Sequence, residues 1–227
     1  MIADKKEFSK GFIMMVGFVV LLVLIFMPLF NGKNGLEYAD ALYNSISKYS
    51  AYYIPAVTEE VETAALKDVR MTLDVGSTRA EQTALLFRAA GASATVSEGT
   101  VEVQGNLDAI LSEAVKDADA LFKNDGELLQ SKYGYPGDEV LYNWWLAGNV
   151  MNKNLKKQKL FKEAEIVDHV KKKAVEPAYN YYGIEPQKLT DRLGIVLFSL
   201  VFYVVYTVWY GFGIMFLLEG WGMRLEH

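Results

Sequence analysis

GFIMMVGFVVLLVLIFMPLF, residues 11–30, runs for twenty residues without a charge. At the rise of an α-helix this length crosses the roughly 30 Å hydrocarbon core of a bilayer. A cleaved secretory signal would have a shorter apolar region and a small-x-small site behind it. Asn31-Gly32-Lys33-Asn34-Gly35 offers no such site, so the stretch reads as an uncleaved anchor, transmembrane helix 1. Lys5, Lys6 and Lys10 stand before it and only Lys33 close behind. That bias holds residues 1–10 in the cytoplasm and sends the following chain outward. A second charge-free block, GIVLFSLVFYVVYTVWYGFGIMFLL at residues 194–218, brings it back. With Thr190 or Asp191 placed to cap it, the second transmembrane segment covers 191–218. Residues 219–227 then return to the cytoplasm, too short for an output domain, and Leu225-Glu226-His227 reads as the start of an expression tag. The expected location is the inner membrane of a bacterium, with both termini cytoplasmic.

Of the 227 residues 52% are hydrophobic, and the excess sits in those two blocks. What lies between them has the composition of a soluble domain and the length for one core. The net charge of -5 argues against nucleic acid as the main partner, because phosphate binding needs a basic face. The chain has no cysteine, which excludes thiolate metal sites, disulfides and cysteine nucleophiles.

Residues 31–66 form a membrane-proximal helical segment. Gly32 and Gly35 interrupt the anchor, and Leu42, Ile46, Tyr49 and Tyr53 then share one helical face. Tyr38, Tyr43, Tyr49, Tyr52 and Tyr53 cluster there, and a ring with a polar tip suits the headgroup layer; an ordinary tyrosine-rich core helix is the competing reading. Pro55 ends the segment, and Glu59-Glu60-Val61-Glu62 leads into a short polar-faced helix or linker.

Residues 67–125 read as a β-α-β-β-α unit. Val69-Arg70-Met71-Thr72-Leu73-Asp74-Val75 alternates as a half-buried strand does. Thr78-Arg79-Ala80-Glu81 has capping-box spacing for a helix that Gly91 stops. Short strands at 94–96 and 101–103 meet across Glu98-Gly99. Asn106 caps a helix whose Leu107, Ile110, Leu111, Ala114, Val115, Ala118 and Leu121 make one stripe. This element order resembles the ring-building modules of secretion-system and sporulation membrane rings. The resemblance implies side-by-side packing of subunits into a ring and carries over no functional residue. The arrangement of anchor, exported domain and anchor is similar to that of polysaccharide chain-length regulators, although residues 194–218 lack the proline pattern of that family.

Residues 126–190 turn helical. Leu141, Trp144, Trp145, Met151 and Leu155 can share a face, and Leu160, Ala164, Val167, Val170 and Ala174 continue one. Lys153, Lys156, Lys157, Lys171, Lys172 and Lys173 lie among these positions, either as the solvated face of a long helix or as a contact for acidic headgroups or an acidic partner. Pro177 breaks the helix, and Tyr179, Tyr181 and Tyr182 complete an interfacial belt with Tyr38, Tyr49, Tyr52 and Tyr53. The two tyrosine segments, 36–53 and 178–184, are expected to be neighbours. The fold class is α+β: two transmembrane helices flanking one extracytoplasmic domain with a small β-α-β-β-α unit and long helices.

Neither span carries an ionisable group, which argues against proton or ion coupling within one chain. Tyr203, Tyr206 and Tyr210 share a face of the second span, and Thr207-x-x-x-Gly211 has the small-residue spacing of a close helix pair. These five residues form the expected oligomer seam, with a tyrosine-lined pore as the minor variant. Nucleophile-elbow, phosphate-loop and paired-histidine patterns are missing, and His169 reads as a surface residue. The expected protein is no enzyme and needs no cofactor or metal; it is a homo-oligomer building a ring or cage. The alternatives are an accessory subunit of a larger membrane redox, transport or secretion complex, and a domain binding a small ligand or lipid in a pocket beside Trp144 and Trp145.

Overall fold

The computed structural model describes residues 2–223, so the reading of residues 225–227 falls outside it. The chain divides into two compact units, one comprising the residues up to Ile46 and from Gln187 onward, the other Ser47–Pro186.

Among the described residues, α1 (Lys5–Phe26) and α10 (Leu193–Gly220) of the first unit are the helices long and apolar enough to cross a membrane. Helix α1 begins before residue 11 because the Asp4 carboxylate accepts from Lys6 N and Glu7 N. It ends at Phe26, short of residue 30. Met27 precedes Pro28 and is pushed into extended backbone, with φ -72° and ψ 143°. Helix α2 (Gly35–Ser50), within which the division into units falls, opens on a capping box: Asn34 Oδ1 accepts from Glu37 N and Glu37 Oε2 accepts from Asn34 N, both at 2.9 Å. Gly35 is therefore a first-turn residue and not a break. Neither Thr190 nor Asp191 caps α10. Both lie in a 3₁₀ turn, Leu189–Arg192, where the Thr190 hydroxyl donates to Asp191.

Helices α1 and α10 run antiparallel with their backbones in contact. A Cβ built on Gly11 would stand 2.5 Å from Leu217 N, and one on Gly220 would stand 2.5 Å from Phe8 Cα. Only glycine permits this approach, which supplies dispersion contact where lipid provides no hydrophobic drive. Between these points the Trp209 indole donates to Met14 O at 3.0 Å, and Phe18 stacks on Tyr206 with centroids 4.4 Å apart.

The second unit begins its own helices with α3 (Ile54–Thr63). Pro55 does not simply end the preceding segment; it occupies the first turn of α3, where its missing N–H has no partner to lose. Ile54, Val57 and Val61 are buried, so the acidic run sits on a packed helix. Strand β1 (Asp68–Asp74) buries Val69, Met71 and Leu73 and exposes the residues between, as its alternation requires. Helix α4 (Ser77–Ala89) starts two residues too early for the expected capping box: Gly76, at φ +78°, is the N-cap and no side chain caps the helix. Strands β2 (Ser93–Ser97) and β3 (Thr100–Asn106) close across Glu98 and Gly99, both at positive φ (45° and 86°), which matches the twist of a tight hairpin. The sheet order is β1-β3-β2, antiparallel throughout, with Met71 and Ala94 both opposite Val103.

Asn106 accepts from Ala109 N to cap α5 (Leu107–Phe122), and the whole expected stripe of α5 is buried. Helices α4, α5 and α7 (Gly137–Lys157) pack on the sheet, with α6 (Gly126–Tyr133) leading into α7. The lysine-rich stretch is not one long helix. Lys159, at φ +62°, separates α7 from α8 (Phe161–Val170). A π-helical turn, Lys171–Val175, follows, then α9 (Glu176–Asn180). Pro177 does not break the path. Glu176 N reaches back five residues to Lys171 O, and the wider turn takes a residue with no N–H to offer.

Candidate functional site

Helix α10 has two kinds of small-residue face. Gly213 and Gly220 are closed against α1, with Met15 and Phe8 where a side chain would go. Beyond the adjoining backbone of its own helix, Gly211 has no atom of the described residues within 4 Å of the place a Cβ would occupy. The five expected seam residues divide between these surroundings. Tyr206 and Tyr210 meet Phe18 at 4.4 and 4.9 Å and thus belong to the contact within the chain. The Tyr206 hydroxyl is buried there with no hydrogen-bond partner among the described residues. Tyr203 is 68% exposed. Thr207 is exposed and spends its hydroxyl on the backbone, donating to Tyr203 O at 2.7 Å. Tyr203, Thr207 and Gly211 are therefore left on a face that α1 does not cover.

The tyrosines of the expected belt have varied partners. In the first unit Tyr38 stacks on Phe30 at 5.0 Å. In the second unit Tyr52 donates to Asp119 at 2.7 Å, Tyr53 lies under the Lys173 ammonium at 4.7 Å, and Tyr181 meets Phe122 edge-on at 6.5 Å. Tyr182 covers Gly126, and Tyr49 and Tyr179 are exposed. The expected proximity of the two segments is visible in the second unit, where Lys48 Nζ donates to Ile184 O at 2.6 Å.

Lys48 is 1% exposed. Its ammonium donates to Asn124 Oδ1 at 2.8 Å as well as to Ile184 O, and lies 5.2 Å from the Phe122 ring centroid. Burial among neutral acceptors lowers its pKa, and the charge of Glu185 opposes that only in part. Asn124 holds the knot: its amide donates to Ile184 O and Glu185, and its Oδ1 also accepts from Gly183 N. The first and last turns of the second unit are tied together here.

Asp117 is the second buried charge, also 1% exposed. It accepts from Lys132 Nζ at 2.5 Å, Tyr133 Oη at 2.6 Å and Trp144 Nε1 at 2.8 Å. Lys132 also bridges to Glu113 at 2.6 Å. Burial and then the Asp117 charge push the Tyr133 phenol far above its ordinary range, and burial raises neighbouring Tyr135 to about 12. At neutral pH both phenols are therefore donors and not bases.

The lysines separate in the same way. Lys171 and Lys172 both bond Asp168, at 2.9 and 2.6 Å, and Lys173 covers Tyr53. Lys153, Lys156 and Lys157 are exposed. His169 lies on α8 and pairs through Nδ1 with Glu60 of α3.

The expected pocket between the sheet and the tryptophan helix is filled. Trp144 is 3% exposed and meets Phe87 edge-on at 5.6 Å. Trp145 faces the other way, onto a groove of about 290 Å³ lined by Tyr142, Trp145, Val175, Glu176, Tyr179 and Asn180. A second groove of about 220 Å³ lies between α3 and α5. Comparisons with protein-family models, curated proteins and solved structures return no match.

Proposed function

We propose that this chain is a non-enzymatic, self-assembling membrane protein whose copies pack side by side into a ring or cage. The observation that carries this reading is the uncovered face of α10, where Tyr203, Thr207 and Gly211 stand free of α1. Small-residue faces let helix backbones approach in lipid, and the chain already joins its own two helices this way at Gly11 and Gly220. The occupant is a second copy of α10. Tyr206 drops out of the seam, since its ring serves α1, whereas Tyr210 touches Phe18 and still keeps 42% of its surface exposed, so it stays with the seam. In this reading the lysine bias around α1 keeps both termini in the cytoplasm of a bacterial cell and exports the second unit.

The sheet edges support the membrane seam over edge-to-edge strand pairing. On β1 the Arg70 carbonyl accepts from Gln158, and on β2 the Ala94 carbonyl accepts twice from Arg88. Side chains at an outer strand blunt its use by a neighbouring chain. Asp117 lines neither groove and already has three donors on its oxygens, which favours a structural role over a catalytic one.

Native mass spectrometry of the full chain in a mild detergent tests the proposal. A single discrete multimer is expected, and Gly211→Leu should reduce it to monomer while the α1–α10 contact stays formed. A monomeric parent overturns the reading. A second reading, docking onto an acidic partner subunit, rests on exposed Lys153, Lys156 and Lys157; such a complex should weaken as salt rises, whereas the α10 seam should hold.

A further inference from the structure

The groove beside Trp145 has a composition that an ordinary apolar cleft lacks. Three aromatic rings and one carboxylate converge on it, with Tyr142 centred 5.8 Å from Trp145 and 6.4 Å from Tyr179. The ring planes are inclined to one another by 33° and 50°. They form the walls of a recess and not a stack. Tyr142 and Tyr179 keep 37% and 43% of their surface exposed, so their rings remain accessible to a ligand.

Electrostatics makes the recess selective. The π-face of an aromatic ring is negative, and Trp is the strongest of the three types. The Trp145 indole donates its N–H to Glu176 Oε1 at 2.9 Å. That bond fixes the ring, places a formal negative charge on the groove wall, and pushes electron density back into the indole. Tyr142 already attracts a cation: the Arg79 guanidinium lies 4.5 Å from its ring centroid, and Arg79 is not among the groove's lining residues. The nearby Lys172 ammonium is held by Asp168 at 2.6 Å, so it is not the groove's own occupant.

We propose that Tyr142, Trp145 and Tyr179, with Glu176, form an aromatic cage for a quaternary or methylated ammonium group. Such a cation sheds water cheaply, carries its charge on methyl surfaces that match ring faces, and needs no directed hydrogen bond from the site. A neutral ligand would leave the Glu176 charge facing an apolar surface without return. The same headgroup chemistry occurs on free solutes and on choline-bearing lipids, and the recess reads only the headgroup. This site is independent of self-assembly through α10.

The test uses the full chain in a maltoside detergent and choline chloride as probe, read by saturation-transfer NMR on the choline methyl signal. Saturation of that signal is expected, with displacement by tetramethylammonium and none by the neutral isostere 3,3-dimethyl-1-butanol. Tyr179→Ala should weaken choline binding about tenfold. Glu176→Gln, which preserves shape and can still accept from the indole, should weaken it severalfold without altering the far-ultraviolet circular dichroism. Competition by monomeric dihexanoylphosphatidylcholine would mark a lipid headgroup as the source; its failure beside firm choline binding would mark a free solute, and either result supports the cage. Equal competition by the neutral isostere, unchanged binding in both variants, or no choline signal at all would overturn it.

Discussion

Asp117 and Lys48 are each 1% exposed, yet the second unit keeps the two charges in opposite ways. Asp117 has a counter-ion, Lys132, and two neutral donors, Tyr133 and Trp144, from helices α6 and α7. Among the described residues Lys48 has no carboxylate in direct contact: it rests on an amide oxygen, a backbone carbonyl and the face of Phe122. The first arrangement makes the charge a hub, because other buried groups depend on it. The second makes the charge a guest. Asn124 Oδ1 still receives Gly183 N, and Ile184 O still receives the Asn124 amide, whether or not Lys48 is present. The cost of a buried charge thus depends on which neighbours its removal leaves unsatisfied.

The largest effect separating the two sites should come from Asp117→Leu. It keeps the branching at Cγ, with the larger leucine side chain in place of the carboxylate, and removes the acceptor, stranding the Tyr133 hydroxyl and the Trp144 N–H in the core. Lys132, whose side chain is 31% exposed, can fall back on Glu113. The expected loss is about 3–5 kcal/mol in the opening free energy of β3 and α5, measured by hydrogen exchange on the full chain. A loss below about 1 kcal/mol would show that Asp117 is no hub.

Lys48→Met should have a much smaller effect. The methionine fills the stem's volume, avoids desolvating an ammonium, and leaves both oxygens bonded. A change within about 1 kcal/mol of either sign is expected in the same exchange measurement. If protection around Asn124 and Ile184 instead fell by about 3 kcal/mol or more, the ammonium itself would be closing the unit's two ends and the contrast would fail.

The parts of this fold that were legible in the sequence are those written in one stretch of chain. The alternation of β1, the stripe of α5 and the cap at Asn106 need no knowledge of neighbours, and all three stand. The Asp117 hub left one signal. Asp117 falls among Ala114, Ala118 and Leu121 at helical spacing, so a carboxylate on the apolar face was asking for buried donors. Which donors answered depends on how α6 and α7 pack, and no local pattern holds that. Lys48 left less, because its partners are a distant amide and a carbonyl, and every residue has a carbonyl. Pro177 misled for a different reason. The rule that proline breaks a helix assumes four-residue bonds, and the π-turn before it uses a five-residue one. For the ligand groove, the adjacent Trp144 and Trp145 point to opposite surroundings, which successive positions on a helix surface allow.

The smallest effect, and the most discriminating, is the response of the two lysines to alkaline pH. Burial places the folded pKa of Lys48 below its ordinary 10.5. Between those two values the unfolded chain holds a proton that the folded protein has released, so the Lys48 contribution to stability rises with pH up to about 10.5. Burial also pulls Lys132 down, but its hydrogen bonds to Asp117 and Glu113 win and set it above 10.5. Its contribution is complete below that value and is lost as pH rises through the folded pKa. Tyr135, raised from 10.0 to about 12, adds to the loss in that interval, because only the unfolded chain gives up its phenolic proton there. Urea denaturation of the full chain in a nonionic detergent, from about pH 8 to about pH 11, should therefore show two opposed differences. The stability of the parent relative to Lys48→Met should improve as pH climbs. Relative to Lys132→Met, the parent's advantage should hold and then shrink above about pH 10.5. If both differences moved in the same direction, the two charges would share one kind of burial, and the distinction between hub and guest would have no physical basis.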